Sequence, residues 1–202
     1  MRLIENDAMM LLERIGIDTP RGISLPFLSD SWPLDRIWSG PVYLKAQILE
    51  GRRCAKGFVR RCISVEEVSH ALTEMRGKLT EEVCAGFLCV PEYEHQHEWF
   101  VATDVDSVTG QVRFHWSEFG GTALVRMHTW VQDEKEAQAI PDVLRPLVDS
   151  LMQGLVRLDA LSIEVNPLIR TPGGELLALD AKIELDEAAA FRHPEWKAFS
   201  SL

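Results

Sequence analysis

The stretch that most constrains this chain is Leu161–Lys182, LSIEVNPLIRTPGGELLALDAK. It reads as two short strands joined by a turn, with Pro172, Gly173 and Gly174 supplying the turn chemistry. A hairpin centred near Gly173 sets Asn166 opposite Asp180, and opposed residues share a sheet face with Cβ atoms about 5 Å apart. Glu164, two residues before Asn166, points to that same face, while Ile163, Val165, Leu179 and Ala181 point to the other. Three oxygen-bearing side chains converging on one spot suit a hard cation such as Mg²⁺, commonly held by one or two carboxylates together with substrate phosphates. The same pattern also describes the polar outer face of an ordinary amphipathic hairpin.

Bulk properties narrow the partners. A formal charge of -10 over 202 residues argues against a protein that neutralises nucleic-acid phosphates across a broad surface. No apolar run approaches the roughly 20 residues needed to span a bilayer, and Glu5 and Asp7 interrupt the N-terminus too early for a signal peptide. Cys54, Cys62, Cys84 and Cys89 have no CxxC spacing and are too sparse for a disulfide framework. These features predict a reduced, cytoplasmic protein without membrane or nucleic-acid partners, whose cysteines are mostly small core residues.

The spacing predicts a helix over residues 3–15, ended by Gly16, then a strand and irregular structure over residues 20–40. Strands follow at 41–49 and 58–63, joined by the loop EGRRCAKG. Ser64 and Glu67 form a capping-box signature for a helix running to Arg76 and ended by Gly77. A buried strand over 84–93 leads through a charged connector to a hairpin of 98–105 with 111–116, then the glycine loop SEFGGT. Residues 133–158 read as a helix, and the tail carries an amphipathic segment over 191–199. This order of hairpins and helices points to an α+β fold with largely antiparallel sheets and a lobe boundary between about residues 83 and 98.

Two segments carry further chemistry. Lys45 lies among apolar neighbours in its strand, which places it either snorkelling at an edge or in a functional cleft. The loop after it brings Arg52, Arg53 and Lys56 between glycines, a composition suited to phosphate and equally to a basic surface turn. A cation site and an anion site in one acidic chain suggest a metal–nucleotide pair. His95 and His97, flanked by Glu94 and Glu98, admit a metal site but read more simply as solvated loop. His115, His128 and His193 are scattered, and none has a Ser or Cys partner identifiable in the sequence. The six tryptophans are spread in a way that suits packing rather than base stacking.

The segment IEVNPLIRTPGGELLALDAKIELDEAAAFRHPEW resembles the end of the ATP-grasp region of succinyl-CoA synthetase β subunits. That family reads E-I-N-P-L, a glycine-containing turn, L-D-G/A-K and F-R-x-P. GIDTPRG, VYLKAQILEGRRCAKGFV and SVEEVSHALTEMRGKL fall in family order, so the resemblance covers nearly the whole chain. The paired arginines and FHWSEFGG are also similar to the RRG and FHHEGG segments of the ATP-citrate lyase branch.

This resemblance implies an ATP-grasp fold, with residues 1–90 as the N-terminal lobe including the leading helix and 91–202 as the C-terminal lobe. It implies that Lys45 and Arg53 contact ATP phosphates, that Cys89, Val90 and Glu92 belong to the adenine hinge, chiefly through backbone groups, and that Glu98 holds the ribose. Asn166 and Asp180 would then hold Mg²⁺, and Glu164 would approach a phosphorylated histidine. In this family ATP phosphorylates that histidine, the phosphate passes to a small carboxylic acid, and CoA displaces it as a thioester. The family loop, approximately GGRGKAGG, is here GRRCAKGF, with Arg52 and Cys54 at glycine positions. The chain stops just after FRHPEW, so the resemblance also implies that the CoA-ligase domain and the phosphohistidine belong to a CoA-binding partner chain. The alternative is a non-catalytic scaffold or regulatory subunit with an altered phosphate loop. A ligase joining a carboxylate to an amine is a third possibility, disfavoured by Glu164 and the terminal F-R-x-P segment.

Overall fold

Apolar residues at helical spacing bury one side of α1 (Glu5–Arg14), where Leu11 and Leu12 are fully enclosed. The helix ends in a Schellman cap: Gly16, at φ +84°, donates to the Glu13 carbonyl and Ile17 to that of Leu12. The structure is a computed structural model and describes residues 1–28, 40–121, 126–132 and 140–199.

These residues form two compact units. One comprises residues 1–19 with 94–199, and the other begins at Pro20 and runs to Tyr93. The leading helix, expected with the N-terminal lobe, therefore belongs with residues 94–199. Residues around Met1 explain this, because Met1 exchanges hydrogen bonds with the Leu185 backbone and the Leu3 N–H donates to the Ile183 carbonyl.

The smaller unit is a four-stranded antiparallel sheet in the order β1 (Ile23–Pro26), β4 (Gly86–Pro91), β2 (Val42–Ala46), β3 (Val59–Cys62). Helix α2 (Val65–Arg76) covers one face, packing Val68, Leu72 and Met75 against Val42, Leu44, Phe87 and Cys89. The Ser64 hydroxyl caps it by accepting the Glu67 N–H at 3.2 Å, and the Glu67 carboxylate accepts the Ile63 N–H at 2.8 Å.

The larger unit is a six-stranded sheet. Its main path runs β10 (Ala181–Leu185), β8 (Ala160–Arg170), β5 (Glu98–Val105), β6 (Val112–Ser117), β7 (His128–Val131), and β9 (Leu176–Ala178) pairs with β8. All pairs are antiparallel. Helices α1 and α3 (Arg145–Arg157) lie in one core with Val101, Phe114, Ile163, Val165 and Ile183. The alternate positions make a polar face. One row across it reads Lys182, Glu164, Ala102, His115, Thr129, and the next Glu184, Ser162, Asp104, Arg113, Val131.

Two expectations change, and one open alternative is decided. Of the helix expected over 133–158, the described residues form α3: residues 133–139 lie outside them, and Leu144 N–H closes a turn on the Pro141 carbonyl at 2.9 Å. Pro146 then occupies the first helical turn, where its missing N–H has no partner to lose. The amphipathic tail is two short 3-10 turns separated at His193, burying Trp196 and Phe199 but leaving Phe191 exposed. Lys45 sits on β2, a central strand, so it does not snorkel at a sheet edge, and it is buried. Among the described residues no helix is long and apolar enough to cross a membrane. Trp32 and Trp38 lie outside the described residues.

Candidate functional site

The opposition of Asn166 and Asp180 forms as the residue spacing predicts. The Asn166 N–H donates to the Asp180 carbonyl at 3.0 Å, and the flanking pair is Val165 with Ala181. The site is less regular than a plain hairpin. The returning strand breaks after Ala178 and resumes at Ala181, so Asp180 sits in the gap between β9 and β10. Both strands change phase here. Val165 and Ala181 face the core on one side of the gap, and Leu168 and Ala178 do so on the other. Leu179, expected on the same face as Val165 and Ala181, is accordingly only half-buried. The Asn166–Pro167 peptide is cis.

Asn166 reaches the glycine loop after β6. Its Oδ1 accepts the Gly121 N–H at 2.6 Å, and its Nδ2 donates to the Gly121 carbonyl at 3.2 Å. The loop also binds to the start of β5, where Gly120 N–H donates to the Glu98 carbonyl at 2.9 Å. Glu98 begins β5 as predicted, with His95 Nε2 3.1 Å from its Oε1. His97 tilts against Trp99 at 4.1 Å between centroids. Among the described residues no group of three or more His, Cys, Asp or Glu side chains is placed to hold a metal ion, so the His95–His97 pair gains no further ligands.

Glu164 pairs with Lys182, directly across the ladder. Asp104 and Arg113 of the neighbouring row form a second cluster with His115 of the Glu164 row. Arg113 donates to Asp104 through Nε at 2.7 Å and Nη2 at 3.1 Å, and to Asp106 through Nη1 at 2.7 Å. His115 places Nε2 3.3 Å from Asp104 Oδ1 and Nδ1 2.9 Å from Thr129 Oγ1. Burial works against the charge on Asp104, but the bonds from Arg113 and His115 outweigh it and hold the carboxyl below the usual range.

The other predicted residues lie in the smaller unit. Lys45 projects from the β2 face that also carries Tyr43, opposite the core that α2 covers. The nearby loop folds on itself. Lys56, Gly57 and Phe58 N–H groups donate to the Arg52, Cys54 and Arg53 carbonyls, and Lys56 pairs with Glu50. Arg52 stands at φ +58°, the left-handed conformation that glycine adopts most easily, while Cys54 is exposed. The buried Arg53 turns back so that Nη1 donates to the Ala46 carbonyl at 3.0 Å. Glu92 receives both Arg61 Nε and Nη2 at 2.7 Å, with Tyr43 Oη 3.4 Å away. Val90 lies opposite Tyr43 in β4, whereas the Cys89 side chain points into the α2 core, where burial pushes its thiol up to about 11. Cys62 and Cys84 are likewise buried and free.

Thus Asn166 and Asp180 come together with the glycine loop and Glu98 nearby, Glu164 stands on the same strand, and Lys45, Arg53, Cys89, Val90 and Glu92 all lie in the smaller unit. Reading the sequence missed Gly121, Lys182 and Arg61 as partners. Lys182 was findable, because the register that opposes Asn166 to Asp180 also opposes Glu164 to Lys182.

No family model matches the chain. It is 29% identical over 239 residues to the succinate–CoA ligase [ADP-forming] subunit beta of Ralstonia pickettii, covering 100% of this chain and 61% of that one. The same subunit of Acidithiobacillus ferrooxidans is 30% identical, with 96% and 59% covered. The chain therefore spans about three-fifths of the length of the curated relatives it matches. In three dimensions it aligns with ATP citrate lyase from Methanothrix soehngenii, solved with citrate and coenzyme A. The TM-score is 0.71 at 21% identity, covering 99% of this chain and 55% of that one. It also aligns with PH1788 from Pyrococcus horikoshii at a TM-score of 0.72 and 17% identity, covering 92% of each. At these identities the structural likeness carries the fold alone, and the relationship to the β subunits rests on sequence.

Proposed function

We propose that this relative of the succinate–CoA ligase β subunits is the ATP-grasp part of an ADP-forming acid–CoA ligase, working with a CoA-binding partner that carries the phosphorylated histidine. The observation that carries the reading is the Asn166–Asp180 pair, held in register where both strands change phase and the returning strand breaks, beside a glycine loop. A carboxamide oxygen and a carboxylate are hard donors, which fits Mg²⁺, an ion that keeps waters and phosphate oxygens for the rest of its shell. When bound, the ion would neutralise charge on the transferring phosphoryl group.

The chain's own residues supply the remaining functions. Lys45 and Arg53 balance the anionic phosphates, Val90 and Glu92 border the base, with Cys89 contributing only backbone, and Glu98 takes the ribose. Glu164, with Lys182 fixing its carboxylate, faces the incoming histidine of the partner. Fixed charges of this kind lower the barrier because they need no reorganisation as the phosphoryl group moves. A lobe boundary near residue 90 suits the reading, with the leading helix carried by the C-terminal lobe.

Isothermal calorimetry of the purified chain with Mg-ATP tests it. Wild type should bind, and Asp180→Ala should weaken binding by about ten-fold or more. Absent binding by wild type, or unchanged binding by the variant, overturns the catalytic reading.

A second reading is favoured by the use of the Arg53 guanidinium on Ala46 and by exposed Cys54 at a family glycine position. In it the chain keeps the fold as a non-catalytic scaffold or regulatory subunit. Turnover with a CoA-binding partner that is lost in Lys45→Ala counts against that version.

A further inference from the structure

Asn166 spends both ends of its carboxamide on one residue. Oδ1 accepts from Gly121 N–H at 2.6 Å, and Nδ2 donates to Gly121 O at 3.2 Å. Such a reciprocal pair fixes which end of the side chain is oxygen, because a flipped amide would set donor against donor and acceptor against acceptor. The loop can lie this close only as glycine. Gly121 stands at φ +64°, and a Cβ there would be 2.9 Å from Glu98 Oε2. One at Gly120 would be 2.7 Å from the Trp99 carbonyl oxygen. A carboxamide oxygen has two lone pairs, so accepting from Gly121 leaves one for another partner.

We propose that Gly121 is a positioning residue for the cation corner: its peptide group locks the Asn166 carboxamide in one orientation, and Asn166 in return clasps the 117–121 loop onto the sheet. The first half rests on Asn166 and Asp180 being cation ligands. The second half does not. Cation affinity and loop order are then linked through one side chain: the factor by which the cation favours the ordered loop over the loosened one is the factor by which the ordered loop binds the cation more tightly.

Two measurements separate these parts. Amide exchange followed by NMR without any cation reports the clasp. Gly121 N–H should exchange about ten-fold faster in Asn166→Ala, while the Val165 amide, deep in the sheet, keeps its rate and shows that the fold is intact. Asn166→Asp keeps an acceptor but places a carboxylate against the Gly121 carbonyl, and it should also speed that exchange. Titration with Mn²⁺ alone, read by paramagnetic broadening of the Asn166 and Ala181 amides, reports the positioning. Gly121→Ala, with both ligands present, should bind about ten-fold more weakly, the scale of a supporting partner lost behind a metal ligand. Unchanged Gly121 exchange in both Asn166 variants overturns the clasp. Mn²⁺ affinity in Gly121→Ala equal to that of a wild type that binds overturns the positioning role. A wild type that does not bind Mn²⁺ at all instead removes the cation reading, and the positioning role with it.

Discussion

At the scale of single residues, the sharpest pH-dependent device lies away from the cation corner. His193 places Nε2 2.7 Å from Asp159 Oδ2 and Nδ1 3.2 Å from Glu195 Oε1, and its ring stacks on Trp196 at 4.3 Å. Arg192 holds the same Asp159 through two nitrogens, and Arg14 adds positive potential near Glu195. The hydrogen bond that His193 donates to Asp159 raises the His193 pKa above its ordinary value, with desolvation opposing and Glu195 reinforcing. A raised imidazole contributes stability that is full below the unfolded value, about 6.5, and disappears as pH rises through the folded value. Asp159 moves the other way: His193 lowers its pKa, burial opposes, and Arg192 assists. Its contribution is full above the unfolded carboxyl value, about 3.9, and is lost on acidification through the folded one. The cluster therefore stabilises most between about pH 4 and 6.5. The melting temperature should decline above that window, and His193→Gln should flatten the decline. An identical slope in the variant refutes the assignment. None of this was legible in the sequence, where His193 stands alone among scattered histidines. Its partner Asp159 is 34 residues away and meets it only because β8 and β10 return the chain to the same place.

Whole elements were far more legible, and the reason is local. The capping box at Ser64, the stop at Gly77 and the strand Glu98–Val105 are written within a few residues, and each forms at the expected position. The hairpin register was readable because period-two alternation leaves one arrangement that buries Ile163 and Val165. The gap at Leu179–Asp180 was not, since nothing in LLALDAK breaks that alternation. The glycine loop was visible as composition, but its tie to Asn166 spans 45 positions and depends on how β5 and β6 place the loop. Gly86 tests an element directly. It opens β4 opposite Pro26 at φ +144°, and a Cβ there would lie 2.4 Å from the Leu25 carbonyl oxygen, a backbone atom that cannot swing aside. Gly86→Ala should destabilise the protein by about 2–4 kcal/mol through combined clash and backbone strain. Denaturant melts measure this, with hydrogen exchange increased first across β1 and β4. A midpoint equal to wild type contradicts it.

At the scale of the molecule, chain order and physical order part company. Residues 1–19 precede the smaller unit in sequence yet belong to the larger one, which otherwise begins at Glu94. The α1 stripe announced a buried face but not which sheet would bury it. That choice is made by backbone pairing of Met1 and Leu3 with β10 and by the shared core of α1, α3 and the sheet. The consequence is testable by deleting residues 1–19. Leu3, Ile4, Met9, Leu11, Leu12, Ile15 and Ile17 are all buried, and burying a large aliphatic side chain is worth about 1.5–3 kcal/mol. Their gross contribution is therefore on the order of 10 kcal/mol, comparable to the whole net stability of a typical domain, about 5–15 kcal/mol. The remaining chain should lose exchange protection across α3, β8 and β10 while β2, β4 and α2 retain theirs, because none of the deleted side chains belongs to the core around α2. Mass-spectrometric hydrogen exchange distinguishes the outcomes. Loss confined to β1–β4 would place the leading helix with the smaller unit after all, whereas loss confined to α3 and the six-stranded sheet fixes it as part of the unit that carries Asn166 and Asp180.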